Sequence, residues 1–395
     1  MESKSQKSTK LWTKNFITIN IVNLLVFFSF QMLLPTFPIY VKKMGGTNSI
    51  IGLVTGIFVV SSLIIRPLSG LLLDKVGRKG VFLSGLIVFI LSVVSYAWLP
   101  TIGLILLFRL IHGFGWGAAT TASSTIAADN IPKERFGEGM GYFSLTSSLA
   151  MAIAPIIGIS VISKGSFSTL FFVSAILAAL GFILVFTIEY RKTEKQDSKK
   201  VKAALFEKSS IRPSIIVFFV SVTYGSLTSF LPLYVAQRGI TNIGIFFTVY
   251  ATFLLISRPI FGKVIDSFGY DFAVIPGLIC IAITMILLAK ANDLPMFLIS
   301  ACIYGVGFGA VQSSLQTMAV ADTPVHCLGA ANATFLTAFD SGIGIGAIIL
   351  GVISSALGYS EMYLCTVVSV IIAFTLYFII GRKKVTNKNL EVSSN

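Results

Sequence analysis

A charge in hydrocarbon costs about 2.5–3.5 kcal/mol at the centre of an isolated helix. The few ionisable side chains inside the apolar runs of this 395-residue chain are therefore where chemistry is expected. Asp340 stands out. Counted from Gly329, it lies about 11 residues, or about 16 Å of helical rise, into an apolar run, near the middle of a bilayer. A carboxyl there keeps its proton unless a cation is close, which suits a group that loads and unloads protons. It could equally serve as counter-ion for a cationic substrate, or cap a neighbouring helix. Arg109 opens a second stripe, and helical periodicity carries its face through His112, Trp116 and Thr120. Another run presents Tyr304, Phe308, Gln312 and Gln316. Both stripes are expected to line a central cavity, with Asn20, Asn23 and Gln31 near the start of the chain and Tyr224 and Thr228 in its middle. Arg66 and Arg258, each followed by proline, sit near run ends, where a long side chain can snorkel to the interface.

Other chemistries lack their parts. The four cysteines are scattered without C-x-x-C spacing, so no disulfide framework or metal site is expected. His112 and His326 are the two histidines, no H-E-x-x-H or nucleophile elbow occurs, and the Gly262-Lys263 pair is followed by valine rather than by the Ser or Thr of an ATP loop. No cofactor is expected.

These side chains must be positioned by helices in lipid. The chain is 55% hydrophobic and 12% charged, with a mean hydropathy of +0.89, which excludes soluble enzymes, nucleic-acid binders and disordered proteins. Twelve runs are long enough to span, near 15–40, 49–73, 80–99, 102–128, 137–162, 168–188, 214–236, 242–266, 272–291, 294–320, 328–356 and 360–381. With the N-terminus inside, 22 lysines and arginines fall in inner loops and tails against five outside, which places both termini in the cytoplasm. The expected organisation is a tail (1–14), a six-helix bundle (15–188), a lysine-rich linker (189–213), a second bundle (214–381) and a tail (382–395).

The bundles read as copies. A shift of 192 positions aligns Arg66, Pro67, Gly70, Asp74 and Gly77 with Arg258, Pro259, Gly262, Asp266 and Gly269, and Gly113, Gly115 and Gly117 with Gly305, Gly307 and Gly309. The alternating glycines lie in mid-run and read as close helix contacts. Such duplication is how many secondary transporters are built, as two bundles rocking about a midplane site. The fold expected is therefore an all-α membrane protein, two pseudo-symmetric six-helix bundles around a central cavity.

Gly70, Asp74, Lys75, Gly77, Arg78 and Lys79 fit the pattern G-x-x-x-D-[RK]-x-G-[RK]-[RK] between the second and third runs. Here the chain resembles the major facilitator superfamily, over all twelve spans. In physical terms, Asp74 can sit against the positive N-terminal end of the eleventh helix, and Arg78 can hold Asp129. Together they would form a conformational latch. The resemblance further implies a proton-coupling role for Arg109, which opens a stretch similar to the family's helix 4 motif. The family's antiporter pattern in helix 5 is matched in part by Gly141, Ala150, Ala154, Pro155 and Gly158.

The function expected is proton-coupled export of a small organic molecule or drug by alternating access, as in the bacterial efflux branch that the chain resembles. A proton symporter importing a sugar or carboxylate is the alternative, and an intramembrane enzyme or transport-dead sensor the reading from another class. The expected partners are a small-molecule substrate, protons and the lipid of the plasma membrane, with no nucleic acid and a monomeric chain. The cavity residues would admit amphiphilic cations, zwitterions or opine-like metabolites.

Overall fold

The computed structural model describes residues 10–132, 135–190, 207–240, 243–321, 323 and 328–382, without the side chains at 74, 137, 266, 328 and 329. Most of the expected linker, most of both tails and His326 lie outside the described residues, and so does the side chain of Asp74.

Among the described residues, twelve helices are long and apolar enough to cross a membrane. They are α1 (Lys14–Lys43), α2 (Asn48–Lys75), α3 (Arg78–Ser95), α4 (Ile102–Asp129), α5 (Phe136–Lys164), α6 (Phe167–Val185), α7 (Ile211–Gln237), α8 (Gly244–Phe268), α9 (Asp271–Lys290), α10 (Leu294–Ala321), α11 (Leu328–Leu357) and α12 (Tyr359–Leu376). A short π-helical turn, Tyr377–Gly381, extends the last. The chain is a multi-pass membrane protein.

Local chemistry sets the helix starts. Thr13, Thr47, Thr101 and Ser166 are N-caps whose hydroxyls accept from the backbone N–H three residues on. Gly77 and Gly269 take φ of 101° and 86°, a left-handed backbone that turns α2 into α3 and α8 into α9 by the same device. The glycines at the 192 spacing act alike too. A Cβ at Gly113 or Gly117 would strike α2, and one at Gly305 or Gly309 would strike α8. Smallness thus seats α4 on α2 and α10 on α8.

The halves meet chiefly where α2 packs on α11, with further contact of α5 on α8 and α1 on α7. The α2–α11 seam is tight away from the face that carries the termini. Gly52 leaves no room for a Cβ against the Ala347 carbonyl, and Gly351 lies against Asn48. Tyr359 donates to Asn48 at 2.9 Å, and the hydroxyls of Ser49 and Ser355 are 2.9 Å apart. From there the seam runs inward to Arg66.

Candidate coupling and substrate site

Arg66 lies about nine residues before the end of α2 and Asp340 about twelve after the start of α11, so both sit roughly 13–18 Å from the termini face. They meet there. Nη2 of Arg66 donates to Oδ2 of Asp340 at 2.6 Å, and Nη1 donates to the Thr337 hydroxyl at 3.3 Å. Their side chains remain 18% and 27% exposed. Arg66 thus does not snorkel to the interface as expected from its place near a run end. A carboxylate at equal depth on the facing helix offers a charge-assisted bond that lipid headgroups cannot match.

Arg258, its counterpart at 192 spacing, has a different partner. Its Nη2 donates to Oε1 of Gln312 at 2.6 Å, while its Nε is enclosed without a hydrogen-bond partner. Arg109 is 3% exposed, and its guanidinium carbon lies 3.7 Å from the Phe37 ring centroid, with the rings of Phe58 and Tyr96 also within reach. An aromatic cage of this kind stabilises the cation through the ring quadrupoles. Beside it, His112 pairs through Nδ1 with the Tyr96 hydroxyl at 3.1 Å.

An aromatic stack lies over this cluster, with Trp116 on Phe30 and Phe30 on Phe58. The second half repeats the theme with Tyr304 on Phe308 and Phe308 on Tyr224. The Tyr304 hydroxyl reaches Thr223 at 2.9 Å, whereas the hydroxyls of Tyr224 and Tyr250 are enclosed without partners. A cavity of about 400 Å³ opens between α7 and α11 beside the ion pair, lined by Ser214, Phe218, Thr334, Thr337, Ala338 and Ser341 among others.

At the termini face, Arg78 donates from Nε to Asp129 at 3.0 Å and from Nη1 to the Leu73 carbonyl at 2.8 Å. Both partners belong to the first six helices, so these two bonds hold the α2–α3 turn against α4 and do not themselves bridge the halves. Lys75 is exposed, Lys79 lies over the Phe186 ring, and a Cβ at Gly70 would meet nothing within 4 Å.

The family model of the Major Facilitator Superfamily matches residues 19–342 and 215–393. The chain belongs to this superfamily. It is 24% identical over 372 residues to the staphylopine export protein of Staphylococcus aureus, covering 90% of this chain and 93% of that one. It is 25% identical to the quinolone resistance protein NorA of the same species, with 83% and 86% covered. Among solved structures, a bacterial homologue of the human lysosomal transporter Spinster, inward-facing and unoccupied, superposes with a TM-score of 0.75 at 16% identity, covering 93% and 96%. As a major facilitator, the chain is a transporter of small molecules and not an enzyme.

Several polar groups expected to face substrate in this major facilitator are engaged within one half. Asn20 donates to the Phe16 carbonyl, and Asn23 joins Thr146 and Ser123. Thr120 and Thr228 bond back to their own helices, and Gln316 donates to Asn332. Asn23 and Gln316 tie helices together and the others satisfy themselves within one helix, because an unpaired polar group in a bundle costs more than a shared one. His112, Tyr304 and Phe308 are fully buried. Gln31 keeps an enclosed Oε1 without a partner. In α5, Ala150 and Ala154 are fully buried, Pro155 is buried too, and Gly158 lies against the Met32 carbonyl of α1, whereas Gly141 faces open space. Sequence reasoning did not single out Tyr250, Thr337 or the Phe37 cage. The shared depth of Arg66 and Asp340 was the one available signal for their pairing.

Proposed function

We propose that this transporter exports a small organic molecule in exchange for protons, across the cell membrane and with both termini in the cytoplasm. Export is supported by the staphylopine export protein and NorA, relatives that cover most of the chain. The orientation rests on the excess of lysines and arginines in loops on the side of the termini. The units that move are the segments 15–188 and 214–381 of a single monomeric chain, with 189–213 as their linker.

The Arg66–Asp340 pair carries the coupling. It is an ion pair between halves, at the inner end of the seam, and partly exposed. A proton on Asp340 removes the negative partner of Arg66 and loosens α2 from α11. Loss of the proton restores the pair and draws the helices together. One titration thereby biases which face is open. The seam held from Asn48 to Arg66, over the half of α2 away from the termini, fits the state open to the cytoplasm. Arg109, Asp74 and the Arg78–Asp129 contact act on the same rocking motion, the first by its charge beside the seam and the others at the α2–α3 turn. One proton entering through 100 mV supplies about 2.3 kcal/mol, enough for roughly fifty-fold accumulation of a neutral solute.

Transport in inside-out and right-side-out vesicles under an imposed pH gradient tests this reading. Uptake into inside-out vesicles with an acidic lumen is expected. Uptake into right-side-out vesicles driven by external acid would replace export with proton symport.

A further inference from the structure

Among the described side chains deep in the spans, three arginines, Arg66, Arg109 and Arg258, face one carboxylate, Asp340. Uncompensated charge in a bundle is costly, so each arginine should have an account. Arg66 has Asp340. Arg109 lies in its aromatic cage, its Nε likewise enclosed without a hydrogen-bond partner but its guanidinium held against three rings. Arg258 alone is left with a neutral amide, which orients its guanidinium without neutralising it.

The internal repeat shows what is missing. The pair α8 and α5 is the counterpart of α2 and α11, and both pairs make contact. Shifting Asp340 back by 192 gives Ser148 on α5, whose hydroxyl bonds to the Ser144 carbonyl of its own helix. Where Arg66 finds an acid across the halves, Arg258 finds none. Around Arg258 the enclosed groups without partners are its own Nε and the hydroxyls of Tyr250 and Tyr224. Tyr250 lies about two helical turns before Arg258 on α8, and the Tyr224 and Tyr250 ring centroids are 6.5 Å apart. All three can donate, and a carboxylate is acceptor-only with room for several donors.

We propose that the transported molecule is an organic carboxylate, and that Arg258 receives its head group with Tyr250 and Tyr224. The substrate then supplies the negative charge that the repeat omits at Ser148, and the rings of Phe308 and Tyr224 offer an apolar body a stacking surface. An amphiphilic cation would find the one deep acid already held by Arg66. This proposal rests on the transporter reading, and an inside-negative potential favours outward movement of an anion by about 2.3 kcal/mol per charge at 100 mV.

The test uses the full chain in lipid nanodiscs, with indole-3-acetate and benzoate as probes and tryptamine and benzylamine as their cationic counterparts. Protection against thermal unfolding is expected from the carboxylates and not from the amines. Arg258→Gln should weaken carboxylate binding about 10- to 100-fold, the worth of a lost charged hydrogen bond. Ser148→Asp, which leaves Arg258 in place and adds the missing acid, should weaken it likewise. Protection by amines alone, by no probe, or by carboxylates undiminished in both variants overturns the proposal. If the vesicles instead move an amine under a pH gradient, the carboxylate proposal falls while the transporter reading stands.

Discussion

Arg66 and Asp340 are 274 positions apart in sequence and 2.6 Å apart in space, and they join helices of opposite halves. Two consequences can be separated, one for stability and one for coupling. The pair is partly exposed, so it is worth less than a sealed one, but removing one partner leaves the other charge in a poor solvent.

Asp340→Asn is expected to leave the protein folded and to abolish proton-coupled export. Its thermal stability should fall by roughly 1–3 kcal/mol, because Arg66 loses its counter-ion. The double variant with Arg66→Gln should recover part of that loss without restoring coupling. Thermal unfolding and proton-driven transport, measured on the singles and the double, check both statements. Full coupling in Asp340→Asn would remove this carboxyl from the mechanism.

The outer seam yields a second expectation. Because the hydroxyls of Ser49 and Ser355 are 2.9 Å apart, Ser49→Cys combined with Ser355→Cys should form a disulfide under mild oxidation, in a background with the four native cysteines replaced. The cross-link should stop transport by holding the far face shut, and reduction should restore it. Transport that continues at the normal rate with the bond formed would show that α2 and α11 need not part there.

The fold was legible because lipid imposes a length on apolar runs. Each helix end falls within about five residues of its expected run. The repeat was legible because Arg, Pro and Gly recur at one spacing. Pairing across halves was less so. The repeat relates Arg66 to Arg258 and says nothing of Asp340, which has no acidic counterpart. The rotation of α11 that turns Asp340 towards α2 depends on packing at Gly344, Gly351 and Ala347. Periodicity also marked Asn23 and Gln316 as polar without telling whether they faced a ligand or a neighbouring helix. Both bond across helices, a choice set by which side chains the bundle brings within 3.2 Å.

Arg109 gives a third expectation. Its cation is held by rings and not by a carboxylate, so its burial contributes little to stability on balance. Arg109→Met, of similar length and uncharged, should unfold no earlier than the native chain, yet lose proton-coupled transport. A marked fall in the unfolding temperature with coupling intact would make the arginine a structural group only.

The Arg78–Asp129 contact separates anchoring of the α2–α3 turn from ligand binding. Both side chains are partly exposed, at 19% and 32%, so the pair is worth about 0.5–1 kcal/mol. If the turn must stay seated on α4 while the halves rock, Asp129→Asn should slow turnover about two- to five-fold, the kinetic equivalent of that energy, with the half-saturating substrate concentration unchanged. Asp74→Asn, four residues before Arg78 at the same α2–α3 turn, should act in the same sense. Both residues lie far from Arg258 along the helix axes, so neither change should touch substrate affinity. Weakened binding with normal turnover in either variant would contradict a role in the conformational cycle and place that end of α2 in the substrate site.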